Sequence, residues 1–240
     1  MTMNGENHLS WSCDAHTAGD VYRQRFAGTV GGLIVARQNA LVLSLLGGVK
    51  GRTVLDVGAG HGQLAGALLD SGGRVTAYGS SAAALSRLVP LGIPLVTGPL
   101  APLPFPDRAF DVVVSVRTFP HVPDWRFFLS ELCRVAREAV AFDFVTRDLT
   151  SMLKPLAYRL KMKHEPGTRD YTIQGRWDVT RAACACGFRW KAAEGQFILP
   201  LVLHRKAGRP ILMPVERVAR ALRLTRRFGG PVVVVIEREP

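Results

Sequence analysis

The chain is 240 residues long and 48% hydrophobic, enough to bury one substantial core, and neither an internal repeat nor a low-complexity tract marks a second domain. Its formal charge of +12 comes from 31 Lys and Arg against 19 Asp and Glu, but no basic motif interleaved with aromatics accompanies it, which disfavours a nucleic-acid partner. Cys13, Cys133, Cys184 and Cys186 are spaced neither as a metal quartet nor as a secreted disulfide framework, so they read as free core thiols and no metal site is expected.

Residues 1–11 are polar and carry no signal pattern. The apolar stretch 33–46 is interrupted by Arg37, Gln38 and Asn39 and is too short to span a bilayer, so a cytoplasmic location is expected. Helices are expected over 18–26 and 33–46, joined through Gly28, Gly31 and Gly32. The apolar run 53–57 then ends in Gly58, Gly60 and Gly62 and passes straight into an amphipathic pattern, which reads as strand, tight turn and helix. Glycines remove the Cβ atoms that would keep a ligand off such a turn. The helix opening near His61 offers free backbone N–H groups, so the turn is suited to cradle a nucleotide-like ligand.

A second strand is expected over 74–78, followed by Ser80 and Ser81, which can cap a helix over 82–88. A short third strand lies near 94–97, and a buried fourth over 111–115, with Phe105 and Phe110 anchoring the loop before it. A helix starts at Asp124 and places Trp125, Phe128, Leu129, Leu132, Val135 and Ala136 on one face. The fifth strand spans 139–145, and a short helical pattern spans 178–187. Strands alternating with helices imply right-handed crossovers and a parallel sheet. Between 203 and 228 lie Arg205, Lys206, Arg209, Arg217, Arg220, Arg223, Arg226 and Arg227, opposed by Glu216. From 215 onward the pattern is helical, with Arg217, Arg220 and Arg223 on one face and Val218, Leu222 and Leu224 as apolar surface. That face reads as a solvated surface, or as a contact for an anionic membrane or an acidic, lipid-like substrate.

Asp56, two residues before the Gly-x-Gly-x-Gly turn, and the stretch 103–115 together resemble the class I S-adenosylmethionine-dependent methyltransferases over roughly residues 53–146. The resemblance implies an α/β fold: a Rossmann-like, seven-stranded, mostly parallel sheet with helices on both faces, closed by an antiparallel hairpin from 188–199 and 231–237. It implies one domain over 1–240, with a lid of N-terminal helices (1–50), a cofactor-binding core (51–146), a substrate-side insert (147–176) and a C-terminal completion of the sheet (177–240).

The implied cofactor is S-adenosyl-L-methionine, held by Asp56, Gly58, Ala59, Gly60, His61, Gly62, Gln63, Gly79, Ser80, Pro99, Leu100, Ser115 and Arg117, with the Leu100 N–H donating to an adenine nitrogen. Trp11, Tyr22, Arg169 and Tyr171 are candidates for the substrate pocket, and His121 or His164 for the general base. Trp11 and Tyr22 read equally well as core residues, and His121 as a helix-entry histidine bonded to the backbone.

Two positions depart from the family pattern. Gly79 stands where an Asp or Glu accepts the ribose hydroxyls, and Pro99 where an Asp reads the adenine amino group. Each charge-assisted bond lost without replacement weakens binding by about 1.5–3 kcal/mol. The implied activity is methyl transfer to a small-molecule or lipid-like acceptor; the alternatives are a methyltransferase-like binding or regulatory subunit, or a non-methylating use of the cofactor. No Asn-Pro-Pro-Tyr-type motif follows the fourth strand, where 115–120 stands instead, which disfavours methylation of nucleic-acid amino groups.

Overall fold

The computed structural model describes residues 10–15, 26–60, 62–146, 171–199, 201, 203–204 and 210–240. Its apolar runs become the strands of one seven-stranded sheet: β1 (Thr53–Val57), β2 (Arg74–Gly79), β3 (Leu95–Thr97), β4 (Phe110–Ser115), β5 (Ala136–Phe144), β6 (Phe188–Phe197) and β7 (Gly230–Arg238). The spatial order is β3-β2-β1-β4-β5-β7-β6. The first five strands are mutually parallel, whereas β7 inserts antiparallel between β5 and β6. Alternate residues feed two cores. Leu55, Val57, Val113, Phe142 and Phe144 point to one face, and Val54, Val75, Ala77, Val112 and Val114 to the other. A sheet covered on both faces needs near-continuous apolar strands, as these are.

Helix α1 (Gly28–Leu46) begins well before the expected start at 33 and stops at Gly47, which adopts a left-handed φ of 75°. At 19 residues it is long and apolar enough to cross a membrane by length and composition, contrary to the shorter reading above. Here it packs on the sheet, and three of its polar residues are tethered. Arg37 pairs with Glu194 at 3.1 Å, Gln38 Nε2 donates to Asp143 Oδ2 at 3.3 Å, and Asn39 Nδ2 donates to the Gln63 carbonyl at 2.6 Å.

Helix α2 (Gln63–Asp70) follows the glycine turn. Helix α3 (Ala82–Leu85) is capped by Ser81, whose Oγ accepts the Ala84 N–H at 3.2 Å, and runs on as a 3-10 turn over Ser86–Leu91 rather than as α-helix to 88. Helix α4 (Trp125–Val135) is capped by Asp124 through the Arg126 and Phe127 N–H groups at 2.9 and 3.1 Å. Its apolar face is as expected, except that Ala136 already opens β5.

Beyond α5 (Arg176–Ala185), the basic stretch forms α6 (Met213–Ala221) and α7 (Leu224–Phe228). Arg223 lies between them with φ 57°, so the chain turns there and Arg223 does not share a helical face with Arg217 and Arg220. All four cysteines are free, but only Cys13 and Cys133 are buried; Cys184 is exposed.

Candidate functional site

The glycine turn leaves the carboxyl edge of β1 with left-handed φ values of 73°, 50° and 70° at Gly58, Gly60 and Gly62. A Cβ on Gly58 would strike the Thr118 side chain, so glycine is required there for packing as well as for φ. The N–H groups of Gly58 and Ala59 both donate to the Tyr78 carbonyl, at 2.9 and 3.2 Å, which pins the turn to β2. Ser115 Oγ donates to the Val57 carbonyl at 3.0 Å and ties β4 to the same corner.

Asp56 is 3% exposed, and its Oδ2 is buried without a hydrogen-bond partner. Burial pushes its pKa up to about 7, against the opposing pull of Arg117. Arg117 has a left-handed φ of 64°. Its backbone N–H donates to Asp143 Oδ1 at 2.6 Å and its Nη1 to Gln63 Oε1 at 2.6 Å, while its guanidinium lies 4.8 Å over the Phe26 ring. Asp143, 2% exposed at the end of β5, is likewise pushed up by burial, to about 6, with the Arg117 and Gln38 contacts opposing the rise. The corner therefore holds two buried carboxyl groups around one arginine, with one carboxyl oxygen unsatisfied. Such a group calls for a cationic donor. The structure brings Asp56 and Gln63 together around Arg117. Asp143 and Gln38 were missed, although a lone acid in the apolar run 139–145 repeats the signal that singled out Asp56.

At the next strand end, Gly79 is buried and Ser80 donates its N–H to Asp14 Oδ2 at 2.7 Å. A Cβ on Gly79 would lie 3.0 Å from that same oxygen and 2.8 Å from Leu85 Cδ2. The missing side chain thus leaves room for a carboxylate from 66 residues earlier in the chain. Asp14 is 2% exposed, and Ser80 Oγ beside it is buried without a partner. Nothing in the sequence marks Asp14.

The segment carrying Asp14 also corrects the expectation for Leu100, whose N–H donates to the Trp11 carbonyl at 2.9 Å. Pro99 accepts the Tyr78 hydroxyl at 2.8 Å through its carbonyl. Trp11 itself packs edge-on against Phe127 at 5.8 Å and against the core.

His121 closes a 3-10 turn over Phe119–His121 and donates its backbone N–H to the Thr118 carbonyl at 2.9 Å. The chain returning from the insert meets this turn. Thr172 donates to the Pro120 carbonyl through N–H and Oγ1, at 2.8 and 3.1 Å, which brings Tyr171 to the same edge. Tyr22, His61, His164 and Arg169 lie outside the described residues.

Residues 55–142 match the model of a methyltransferase domain family. The chain is 41% identical over 107 residues to a 2-methyl-6-phytyl-1,4-hydroquinone methyltransferase of Synechocystis sp., covering 41% of this chain and 34% of that one. It is 31% identical over 185 residues to an uncharacterized methyltransferase of Mycobacterium leprae, covering 75% of this chain and 65% of that one. It therefore spans between about a third and two thirds of the length of these curated relatives. The same fold occurs in the crystal structure of magnesium protoporphyrin IX methyltransferase from Synechocystis with bound S-adenosylhomocysteine, at a TM-score of 0.64, 17% identity and coverage of 92% of this chain and 94% of that one. The matched residues are the strands and turns that carry Asp56, Gly79 and Ser115, and over them the chain is similar to S-adenosylmethionine-dependent methyltransferases.

Proposed function

We propose that the protein is a cytoplasmic enzyme that transfers a methyl group from S-adenosyl-L-methionine to a small, lipid-like acceptor. The observation that carries this reading is Asp56, a buried carboxyl group with an unsatisfied oxygen, beside a glycine turn in which a Cβ on Gly58 or Gly62 would strike Thr118 or Leu88. An ammonium group is the complement of that oxygen, and the amino-acid part of the cofactor has one. Arg117 provides positive charge for the cofactor carboxylate. At the nucleoside end, Asp14 and the unpartnered Ser80 hydroxyl stand in for the acid that Gly79 lacks and receive the ribose hydroxyls.

When bound, the cofactor supplies a sulfonium-activated methyl group, for which alignment of the acceptor matters more than acid assistance. His121, on the turn after β4, takes the acceptor proton as general base. Tyr171, brought to the Pro120 turn by Thr172, lines the acceptor side.

The lipid-like character is supported by the name of the Synechocystis relative, a phytylhydroquinone methyltransferase, and by the outer face of the C-terminal helices. Ile211, Val215, Val218 and Leu222 are all exposed at helical spacing, beside the exposed Arg217 and Arg227. An exposed apolar stripe with basic neighbours is suited to rest on an anionic membrane.

The test is calorimetric titration with S-adenosylmethionine and S-adenosylhomocysteine, followed by transfer of labelled methyl groups into prenylated or phytylated quinols. Micromolar binding with label in the quinol is expected. Binding without transfer to any lipid-like acceptor would overturn the acceptor class, and absence of binding in folded protein would overturn the enzyme reading.

A further inference from the structure

On the α1 side of the sheet, α1, β6, α6 and α7 line a cavity of about 440 Å³ whose lining includes none of the residues assigned above to the cofactor. Its charged lining is Arg37, Arg220, Arg223, Arg226 and Glu194, four positive groups against one negative. The single acid is already engaged. Glu194 accepts Arg37 Nη2 at 3.1 Å and lies 3.5 Å from Thr225 Oγ1. The Nε atoms of Arg37 and Arg220 are buried and have no hydrogen-bond partner. The two guanidinium groups also repel each other: burial first, and then the positive charge of Arg220, holds Arg37 below its ordinary pKa despite Glu194. Buried N–H donors left unpaired and like charges held together are each unfavourable, and one anion relieves both.

We propose that this cavity binds a phosphate or diphosphate group. Guanidinium groups present planar forks of N–H donors that match phosphate oxygens two at a time, and several converging on one cavity select a multivalent oxyanion over chloride. The volume falls in the range of small-molecule sites and exceeds what a lone phosphate fills, so the phosphate is one end of a larger molecule. The cavity is also close to the corner that holds Asp56. Asp143 pairs with Val233 and Val233 with Glu194, so Glu194 stands level with Asp143 two strands away, roughly 10 Å at the usual strand spacing. On α1, Arg37 and its neighbour Gln38 reach these two acids separately.

Inorganic pyrophosphate is the probe, titrated calorimetrically at constant ionic strength into the full chain, with Arg37→Gln, Arg220→Gln and Arg181→Gln compared. Arg181 is an exposed arginine on α5 that does not line the cavity. Saturable one-to-one binding is expected, weakened about tenfold or more by Arg37→Gln and by Arg220→Gln and unchanged by Arg181→Gln. Arg220→Gln keeps the test valid if loss of the Arg37–Glu194 pair unfolds the first variant. Binding that does not saturate, or that weakens equally in all three variants, would reduce the cavity to diffuse surface charge and overturn the proposal.

Vesicles of phosphatidylcholine containing phosphatidic acid identify the source of the group. Displacement of bound protein from them by pyrophosphate would make the ligand a lipid headgroup. Pyrophosphate binding without competition by the vesicles would make it a soluble phosphate ester. Neither result depends on the methyl-transfer reading, which stands or falls on binding of S-adenosylhomocysteine.

Discussion

A carboxyl group buried without a full set of partners destabilises the fold whenever it is ionised, and Asp56 is in that position until a cation arrives. Asp56→Asn is therefore expected to separate stability from function. Thermal unfolding at pH 8 should show the variant more stable by roughly 5 °C, because the ionised carboxyl no longer has to be desolvated. Calorimetry should show affinity for S-adenosylhomocysteine lower by about a hundredfold, the loss of a charge-assisted bond in a buried site. Equal affinity would remove Asp56 from the cofactor site.

Gly79 makes a second expectation sharp. If its place were a simple vacancy, Gly79→Asp would tighten binding. Because a Cβ there lies 2.8 Å from Leu85 and 3.0 Å from Asp14, the variant should bind more weakly, by about tenfold or more, and Asp14→Asn should weaken binding comparably. Tighter binding by Gly79→Asp would show that Asp14 does not fill the role. Asp56 was readable from its position before three glycines, whereas Asp14 was not, since a contact across 66 residues leaves no local pattern.

Elements were readable where one periodicity prevailed and misread where long-range packing decided. The strands before 146 and the cap at Asp124 fall where apolar runs and capping chemistry put them. The start of α1 does not. Gly28, Gly31 and Gly32 look like a linker, yet Gly31 packs so closely on the Phe26 backbone that any Cβ would clash, and Val30 and Ile34 pack with Phe197. The basic helix was read as continuous because a left-handed Arg223 has no signature in a side-chain pattern.

The loop over 103–107 shows how an element carries a motif. Arg134 Nη1 donates to the Phe105 carbonyl at 2.7 Å and Nη2 to the Leu103 carbonyl at 2.9 Å. Glu131 Oε2 accepts the Leu103 N–H at 2.7 Å, and Arg134 pairs with Glu131 at 2.8 Å. Phe105 then packs edge-on against Tyr78 and Phe110 at 5.5 and 5.1 Å. Arg134→Ala should lower stability by about 1–3 kcal/mol in a denaturant melt, since two loop carbonyls and the partly buried Glu131 lose a charged donor. A change within about 0.5 kcal/mol would mean that the aromatic contacts alone hold the loop.

Across the whole molecule, protonation and folding are linked through two buried acids, and a cationic ligand is expected to couple to one of them, Asp56. Burial raises Asp56 to about 7 and Asp143 to about 6, both above their unfolded values. The folded state therefore holds more protons than the unfolded one between roughly pH 4 and 7, so stability without ligand falls as pH rises through that window and levels above it. A cationic ligand reverses the balance at Asp56, because it prefers the ionised carboxyl. Its affinity should rise about tenfold per pH unit up to about 7, and binding below 7 should release a proton. Since bound ligand stabilises by RT ln(1 + [L]/Kd), the rise in Tm produced by a fixed excess of S-adenosylhomocysteine should be smaller by about 1.4 kcal/mol, or ~3–5 °C, for each unit below pH 7. Differential scanning fluorimetry from pH 5.5 to 8, with and without the ligand, measures both slopes on one sample. Opposite slopes place the titrating acid at the binding site, and in Asp56→Asn the ligand-dependent slope should vanish. A ligand-induced shift that is flat across this range would mean that Asp56 stays ionised without its ligand, and the complement to its unsatisfied oxygen would have to lie within the protein itself.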